Sequence, residues 1–494
     1  MLERLIIFFT QKRLITYLII GFVLWLCAHF LLGFLYKGDV LFFLQRSLAR
    51  LSAIGFVLLT LIWIVKHLKL FIQEKGSPHN LSIFRIIFFG FFLVGFSWQA
   101  DSFLTHTLQF ADLPVSARVA IPGTQWLVDL LPINTTIVKI IFTLFGLSIV
   151  GSFLGFKSKI SIAIFTLTVL YLFTIPNLYG KINHNHHTLW FAAILIFSPC
   201  SDVLSLDAWW AKRKNKVSLP LKSVNYHLPF ALIWSLMAIL YFFPGFWKIW
   251  TSGLDWALTD NVQYHMHWKW HELGDWLPYF RLDQYPILYK ASGLFTILFE
   301  LLFVWLIFKP KTRKLGFVLG LLFHIGTWSF MNIFFVVLVV SYVSFIDWTK
   351  IFTSLKTKEN NLNSTAEIRI SGVSIIGLFL IIGNLTFGIA KINSWPLTVY
   401  PVFDGMLEPN TKTLSFAYEN QLGTIIAIDK QVLKNRFSSE RYRNMENQII
   451  NAFEDDRLNE KEALIESLIS NLNSPPNRPV QVYIDFVSVR PENK

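Results

Sequence analysis

Residues 181–187 read KINHNHH and set one lysine amine and three imidazoles, His184, His186 and His187, within two helical turns. The segment lies where one apolar, membrane-length run ends and another begins. Ionisable side chains are costly there, so a cluster of them marks chemistry or a pathway. An amine in a low-dielectric pocket loses the hydration that stabilises its ammonium form, and becomes a free base near neutral pH. Lys181 is therefore the candidate general base, against the blander alternative of a lysine that snorkels to the headgroups. A metal is the rival use of the imidazoles. Metal-binding histidine pairs on a helix favour i, i+4 spacing, whereas His184 and His187 stand at i, i+3 with no matched carboxylate, so no metal is expected.

A second cluster, HMHWKWHELGDW at 265–276, alternates aromatic and basic residues between two apolar runs. Such a loop is either an interfacial aromatic belt or the floor of a pocket for an aromatic or amphiphilic ligand. His324 and Glu300 are further ionisable groups inside apolar runs. Arg85, in IFRIIFFG, is expected to hold a neighbouring helix through a carboxylate or carbonyls.

The elements that position these residues follow from composition. With 54% hydrophobic and 16% aromatic residues and a mean hydropathy of +0.49, the chain is a polytopic membrane protein. The net charge of +13 belongs with membrane loops and anionic headgroups; no compact basic domain suggests nucleic acid. Cys27 and Cys200 fall inside apolar runs, so no disulfide is expected. Apolar runs at 14–36, 48–72, 82–100, 136–155, 160–178, 188–204, 226–245, 291–308 and 372–390 read as spans, the first retained rather than cleaved.

The stretch 315–346 is long for one helix and short for two, which makes ten or eleven spans in all. Loop charge favours a hairpin with a break near Gly326-Thr327 or Asn332. Only then do Lys350, Lys356 and Lys358 join the other basic loops, around Lys66, Lys157, Lys212 and Lys309, on the cytoplasmic face. Lys37, Arg46 and Arg50 are exceptions to that rule. The expected architecture is an all-α polytopic membrane bundle with a small extracytoplasmic α+β domain. Its parts are two additional N-terminal spans (1–78), a central membrane domain (79–348), a linker, clearest at 356–366, with the last span (349–392), and the C-terminal domain (393–494). That domain carries strand-like alternation at 414–428 and 480–489 around a charged helix at 437–472.

Taken in order, several segments resemble the vitamin K-dependent γ-glutamyl carboxylases and their bacterial relatives, the horizontally transferred transmembrane (HTTM) domain proteins. They are LSIFRIIFFGFFLV (81–94), KINHNHHTLWFAAI (181–194), SLDAWW (205–210), FPGFWKIWTSGLDW (243–256) and FHIGTWSFMNIFF (323–335), with NSWPLTVYPVFDGM (393–406) and VQVYIDFVSV (480–489) in the tail. The resemblance implies that Lys181 is the catalytic base and that Asn185 and His187 orient it or the quinol. It implies that His184, His324, Trp247 and Trp268 line the cofactor site, and that Tyr400 and Phe403 face a glutamate substrate. The implied cofactor is reduced vitamin K or menaquinol, with O2 and CO2 as co-substrates and a glutamate-containing peptide as partner, in a bacterial cytoplasmic membrane. Phe403 or Asp404 stands where the family has a tryptophan, and two additional spans precede the domain. The alternative is a non-carboxylating HTTM protein that binds a quinone or lipid.

Overall fold

The computed structural model describes residues 11–113, 115–118, 125–179, 181–182, 184–214, 222–352, 371–398, 403–473 and 478–491. The linker at 356–366, the loop lysines Lys356 and Lys358, and Tyr400 lie outside these residues. The described part is a helix bundle with a small three-stranded sheet beyond the last long helix. Nine helices among the described residues are long and apolar enough to cross a membrane. They are α1 (Gln11–Leu35), α2 (Gly38–Ile72), α3 (Pro78–Ala111), α4 (Thr135–Leu154), α5 (Ser158–Asn177), α7 (Val224–Ser252), α9 (Pro286–Leu306), α10 (Pro310–Met331) and α11 (Gly372–Ile389), where α6 (His186–Phe197) and α8 (Asn261–Glu272) are shorter.

Two departures from the hydropathy reading matter for the site. The expected span at 188–204 is helical only over the twelve residues of α6, about 18 Å against a hydrocarbon core of about 30 Å. Non-helical backbone flanks it at both ends. At one end Arg441 donates to the Lys181 carbonyl at 3.0 Å, and at the other Arg85 donates to the Cys200 and Leu204 carbonyls at 3.2 and 2.6 Å. Irregular backbone at membrane depth is tolerated where protein buries it. The stretch 315–346 does fold as a hairpin, broken at Asn332, which takes the left-handed conformation (φ 51°), while Gly326-Thr327 stays inside α10. The return leg is the short helix Val336–Ser341 and a 3-10 turn. It brings Asp347 to Asn80 at the start of α3 (3.1 Å).

Arg85 shows how the bundle satisfies a buried cation. The side chain is fully buried and donates to four carbonyls: Cys200 (3.2 Å), Ser152 (2.7 Å), Phe153 (3.0 Å) and Leu204 (2.6 Å). The partners are carbonyls, not a carboxylate, and they join α3, the end of α4 and the loop after α6. Gly155 (φ 68°) permits the approach, since a Cβ there would stand 2.6 Å from an Arg85 nitrogen.

In the C-terminal region β1 (Asn410–Glu419) is central, with β2 (Ile425–Ile428) and β3 (Val480–Ser488) antiparallel on either side. Buried Leu414 and Phe416 of β1 belong to one hydrophobic cluster with Tyr442 and Met445 of α12 (Ser439–Glu454). The charged stretch expected as one helix at 437–472 is interrupted after Glu454 and resumes at Glu462–Ser470.

Candidate functional site

The bundle encloses a cavity of ≈ 340 Å³ walled by α7, α8, α9 and α10 and by the chain entering α6. Its surface is mainly aromatic and aliphatic, with a few converging polar groups, the composition of a small-molecule site. Lys248 on α7 and Glu300 on α9 form the one lysine–carboxylate pair among the described lining residues, with Nζ 2.8 Å from both carboxylate oxygens. Both side chains are buried, and the ammonium also lies 5.0 Å from the Trp256 ring centre. Gly245, one turn before Lys248, makes the approach possible, because a Cβ there would stand 2.8 Å from the Glu300 Cβ.

Histidines complete the polar surface. His324 accepts from or donates to Tyr241 Oη at 2.7 Å, and Tyr241 in turn contacts Tyr342 Oη at 2.8 Å. This chain fixes the His324 ring and leaves its Nδ1 without a partner among the described residues. His187 is more unusual: it is 1% exposed, and neither ring nitrogen has a hydrogen-bond partner among the described residues. A buried polar atom left unpaired costs about 1–3 kcal/mol, so an imidazole unsatisfied at both nitrogens on a cavity wall is suited to a ligand's hydroxyl or carbonyl. His184 and His265 line the same cavity. Burial lowers both, His184 to about 3, with the Lys181 charge adding to the effect, and His265 to about 4. Both rings are therefore neutral at pH 7.

The residues singled out in the sequence divide accordingly. His184, His187, His324 and Phe403 line the cavity. His186 does not: its Nε2 meets the Ser394 carbonyl at 2.6 Å and its ring packs on Trp395, tying α6 to the segment after α11. Asn185 caps α6 through its carbonyl, which accepts from Thr188, and is not on the cavity wall. Trp247 and Trp268 are also off the wall; their indoles donate to the Gly388 and Glu408 carbonyls at 2.9 Å each.

Lys181 is half-buried and absent from the wall. It belongs to a polar clamp at the end of the bundle that carries the C-terminal domain. There Lys269 of α8 bridges Glu272 and Glu440 at 2.9 Å each, and Arg441 donates to the Pro176 and Lys181 carbonyls. Burial lowers the Lys181 ammonium, Glu272 and Glu440 oppose that, and Lys269 adds to it. The lysine on the cavity wall is thus Lys248, which the sequence shows only as one basic residue in an aromatic stretch. Its signal was the combination of Gly245 one turn earlier and a lone carboxylate, Glu300, in a later apolar run.

Phe403 (φ 60°) closes the cavity on the side of the C-terminal domain. Its carbonyl accepts from the Trp256 indole at 2.6 Å, and the next carbonyl, of Asp404, accepts from Thr251 (2.7 Å) and Ser252 (2.9 Å). The seal is therefore stitched to the end of α7.

A bundle of nine membrane-length helices among the described residues, with a buried lysine–carboxylate pair on the wall of an apolar cavity, defines a multi-pass membrane protein. Residues 74–356 match the HTTM domain, and the chain belongs to that family. No curated protein and no solved structure matches it. The matched region contains every cavity-lining residue except Phe403, while α1 and α2 precede it.

Proposed function

We propose that the cavity binds a quinol and that the protein is a quinol-dependent membrane enzyme of the carboxylase-like kind, in which a glutamyl peptide approaches past Phe403. The observation that carries this is His187, unpaired at both nitrogens among the described residues, on an apolar wall shared with His324 and the Lys248–Glu300 pair. These groups fit a flat aromatic ring with a hydroxyl at either end: the aromatic walls take the ring, and His187 and His324 pair with the hydroxyls. When bound, a quinol supplies two electrons and an acidic hydroxyl. The residues then handle the proton. Lys248 and Glu300 are hydrogen-bonded to one another, so the carboxylate can take the proton while the ammonium beside it stays in place. Tyr241 holds the His324 ring in one orientation, and the Phe403 seal keeps water from a strongly basic reaction centre. Loop charge supports placing the clamp and the C-terminal domain outside the cytoplasm.

Lys181 remains the second assignment for the base, favoured by its burial-lowered ammonium beside His184. The test is the purified protein in nanodiscs with reduced menaquinone or vitamin K, labelled CO2 and a glutamyl peptide. O2-dependent quinol oxidation with label in the peptide is expected. Quinol binding without oxidation would favour the non-carboxylating quinone- or lipid-binding alternative, and no binding at all would overturn the proposal.

A further inference from the structure

Resting on the quinol reading, we infer that the cavity opens sideways into the bilayer between α9 and α10, and that this slot, with Gly326 at its lip, takes the hydrocarbon tail of the ligand. The cavity surface does not stop at the face of α10 that meets the bundle. That face is the row Gly316, Gly320 and His324, which are buried. Lining residues continue round the helix from His324 through Thr327 and Phe330 to Gly326 and Leu322. At about 100° per residue these last two lie roughly 160° away from His324, on the opposite side of the helix. Leu322 lines the cavity and is nevertheless 53% exposed, beside Ile325 at 55%. A surface that is at once cavity wall and outer helix face is an opening, and on a helix this apolar the outside is lipid.

The opposite edge is light. Ser292 and Thr296, one turn apart on α9, line the cavity together with Phe295. The Ser292 hydroxyl is turned back to the Tyr289 carbonyl of its own helix (2.8 Å) and so presents no unpaired donor to the slot. On the α10 edge a Cβ at Gly326 would meet no atom within 4 Å. The glycine is therefore not required for packing, although glycine in a helix interior costs about 1 kcal/mol relative to alanine. An unfilled position at the lip is what a passing chain needs.

Size points to the occupant. At ≈ 340 Å³ the cavity is at the lower end of small-molecule sites, which run from about 300 to 1,000 Å³. It holds a ring head but not a polyprenyl chain as well. The slot lets the chain stay in the bilayer while the ring reaches His187 and His324, so the ligand class is a ring-headed amphiphile with a long tail, admitted from the membrane.

The experiment uses the full chain in nanodiscs, with quinone affinity read from quenching of tryptophan emission and expressed per mole of lipid. The probes are menaquinone, with its polyprenyl tail, and tail-less menadione. The unsubstituted protein should prefer menaquinone. Gly326→Leu, which fills the lip and improves helix propensity, should weaken menaquinone at least ~10-fold and leave menadione unchanged. Ser292→Leu narrows the slot from the α9 side and should do the same, which keeps the test decisive if one variant folds poorly. Ile325→Phe adds similar bulk off the cavity and should change neither. Unchanged menaquinone binding in both slot variants, or an equal fall for both probes, would overturn the slot. If the unsubstituted protein binds neither probe, the quinol reading fails and the slot with it.

Discussion

Arg85 and His187 are both buried polar side chains of the same bundle, and they are treated in opposite ways. Arg85 is surrounded by four carbonyl acceptors from two parts of the chain, and even a nearby glycine serves its approach. His187 has neither ring nitrogen paired among the described residues. A folded protein that can gather four acceptors around one guanidinium has the means to satisfy an imidazole. Where it does not, and the imidazole faces a cavity, the missing partner is best supplied by a ligand. The same physical rule, that buried polar groups must be paired, thus separates a structural site from a binding site.

Substitutions that remove paired groups should damage the fold, and substitutions of unpaired ones should damage function alone. The largest effect is expected at Arg85. Arg85→Met leaves the carbonyls of Ser152, Phe153 and Leu204 without their donor, each at a cost of about 1–3 kcal/mol, while the Cys200 carbonyl keeps the Ser82 hydroxyl. No monodisperse protein should be recovered by size exclusion in detergent; recovery at normal yield would show that water or backbone adjustment replaces the guanidinium.

Next comes the Lys248–Glu300 pair. Lys248→Met strands a buried carboxylate and should lower stability by about 3–5 kcal/mol. Lys248→Met combined with Glu300→Met removes both charges and should recover most of that loss in a thermal melt, while quinol oxidation stays absent. If the double variant is no more stable than the single one, the two residues are not energetically coupled.

The polar clamp should give a smaller, pH-dependent effect of about 1 kcal/mol, between an exposed and a buried ion pair. Burial alone would raise the Glu440 carboxyl, but Lys269 and Lys181 outweigh it and hold it below its ordinary range; burial would lower the Lys269 ammonium, but Glu272 and Glu440 hold it above its own. The contribution of Glu440 is therefore present above about pH 4.3 and lost as the pH falls through its depressed value. That of Lys269 is present below about pH 10.4 and lost as the pH rises through its elevated value. Hydrogen exchange in α12 should speed up towards acid more in the native protein than in Lys269→Met; equal acid responses would remove the clamp from the docking of this domain.

Lys181→Arg should have the smallest effect on stability, since a half-buried cation is kept. It also distinguishes the two lysines. With the proton taken by Lys248–Glu300, the arginine variant keeps most quinol oxidation. With Lys181 as the base, it loses nearly all, because a guanidinium stays protonated.

Much of the bundle was legible in the sequence because a crossing needs a long apolar run and little else. Positions of the long helices and the strands of the C-terminal domain follow from period and length, and the hairpin follows from loop charge, with Asn332 one of the two places left open for its break. The shortness of α6 was not legible, because hydropathy records burial of side chains and is blind to backbone that tertiary contacts satisfy, as Arg441 does for the Lys181 carbonyl. In the site, His184, His187 and His324 stood out as ionisable residues in apolar surroundings. Lys248 did not, since its partner lies 52 positions away and pairing across helices leaves no local pattern. Crowding of histidines after Lys181 drew attention to the nearer lysine, although His186 in that same run packs on Trp395 for structure.

That the cavity is a ligand site, because His187 on its wall has neither ring nitrogen paired among the described residues, is tested most directly by His187→Phe. Phenylalanine keeps the ring and removes only nitrogens that have no partner among the described residues, so the melting temperature should be unchanged or higher, while menaquinone affinity in nanodiscs falls at least ~10-fold, the loss of one good hydrogen bond to a buried ligand. A variant that melts lower and binds menaquinone as tightly as the native protein would make His187 a structural residue and contradict the account.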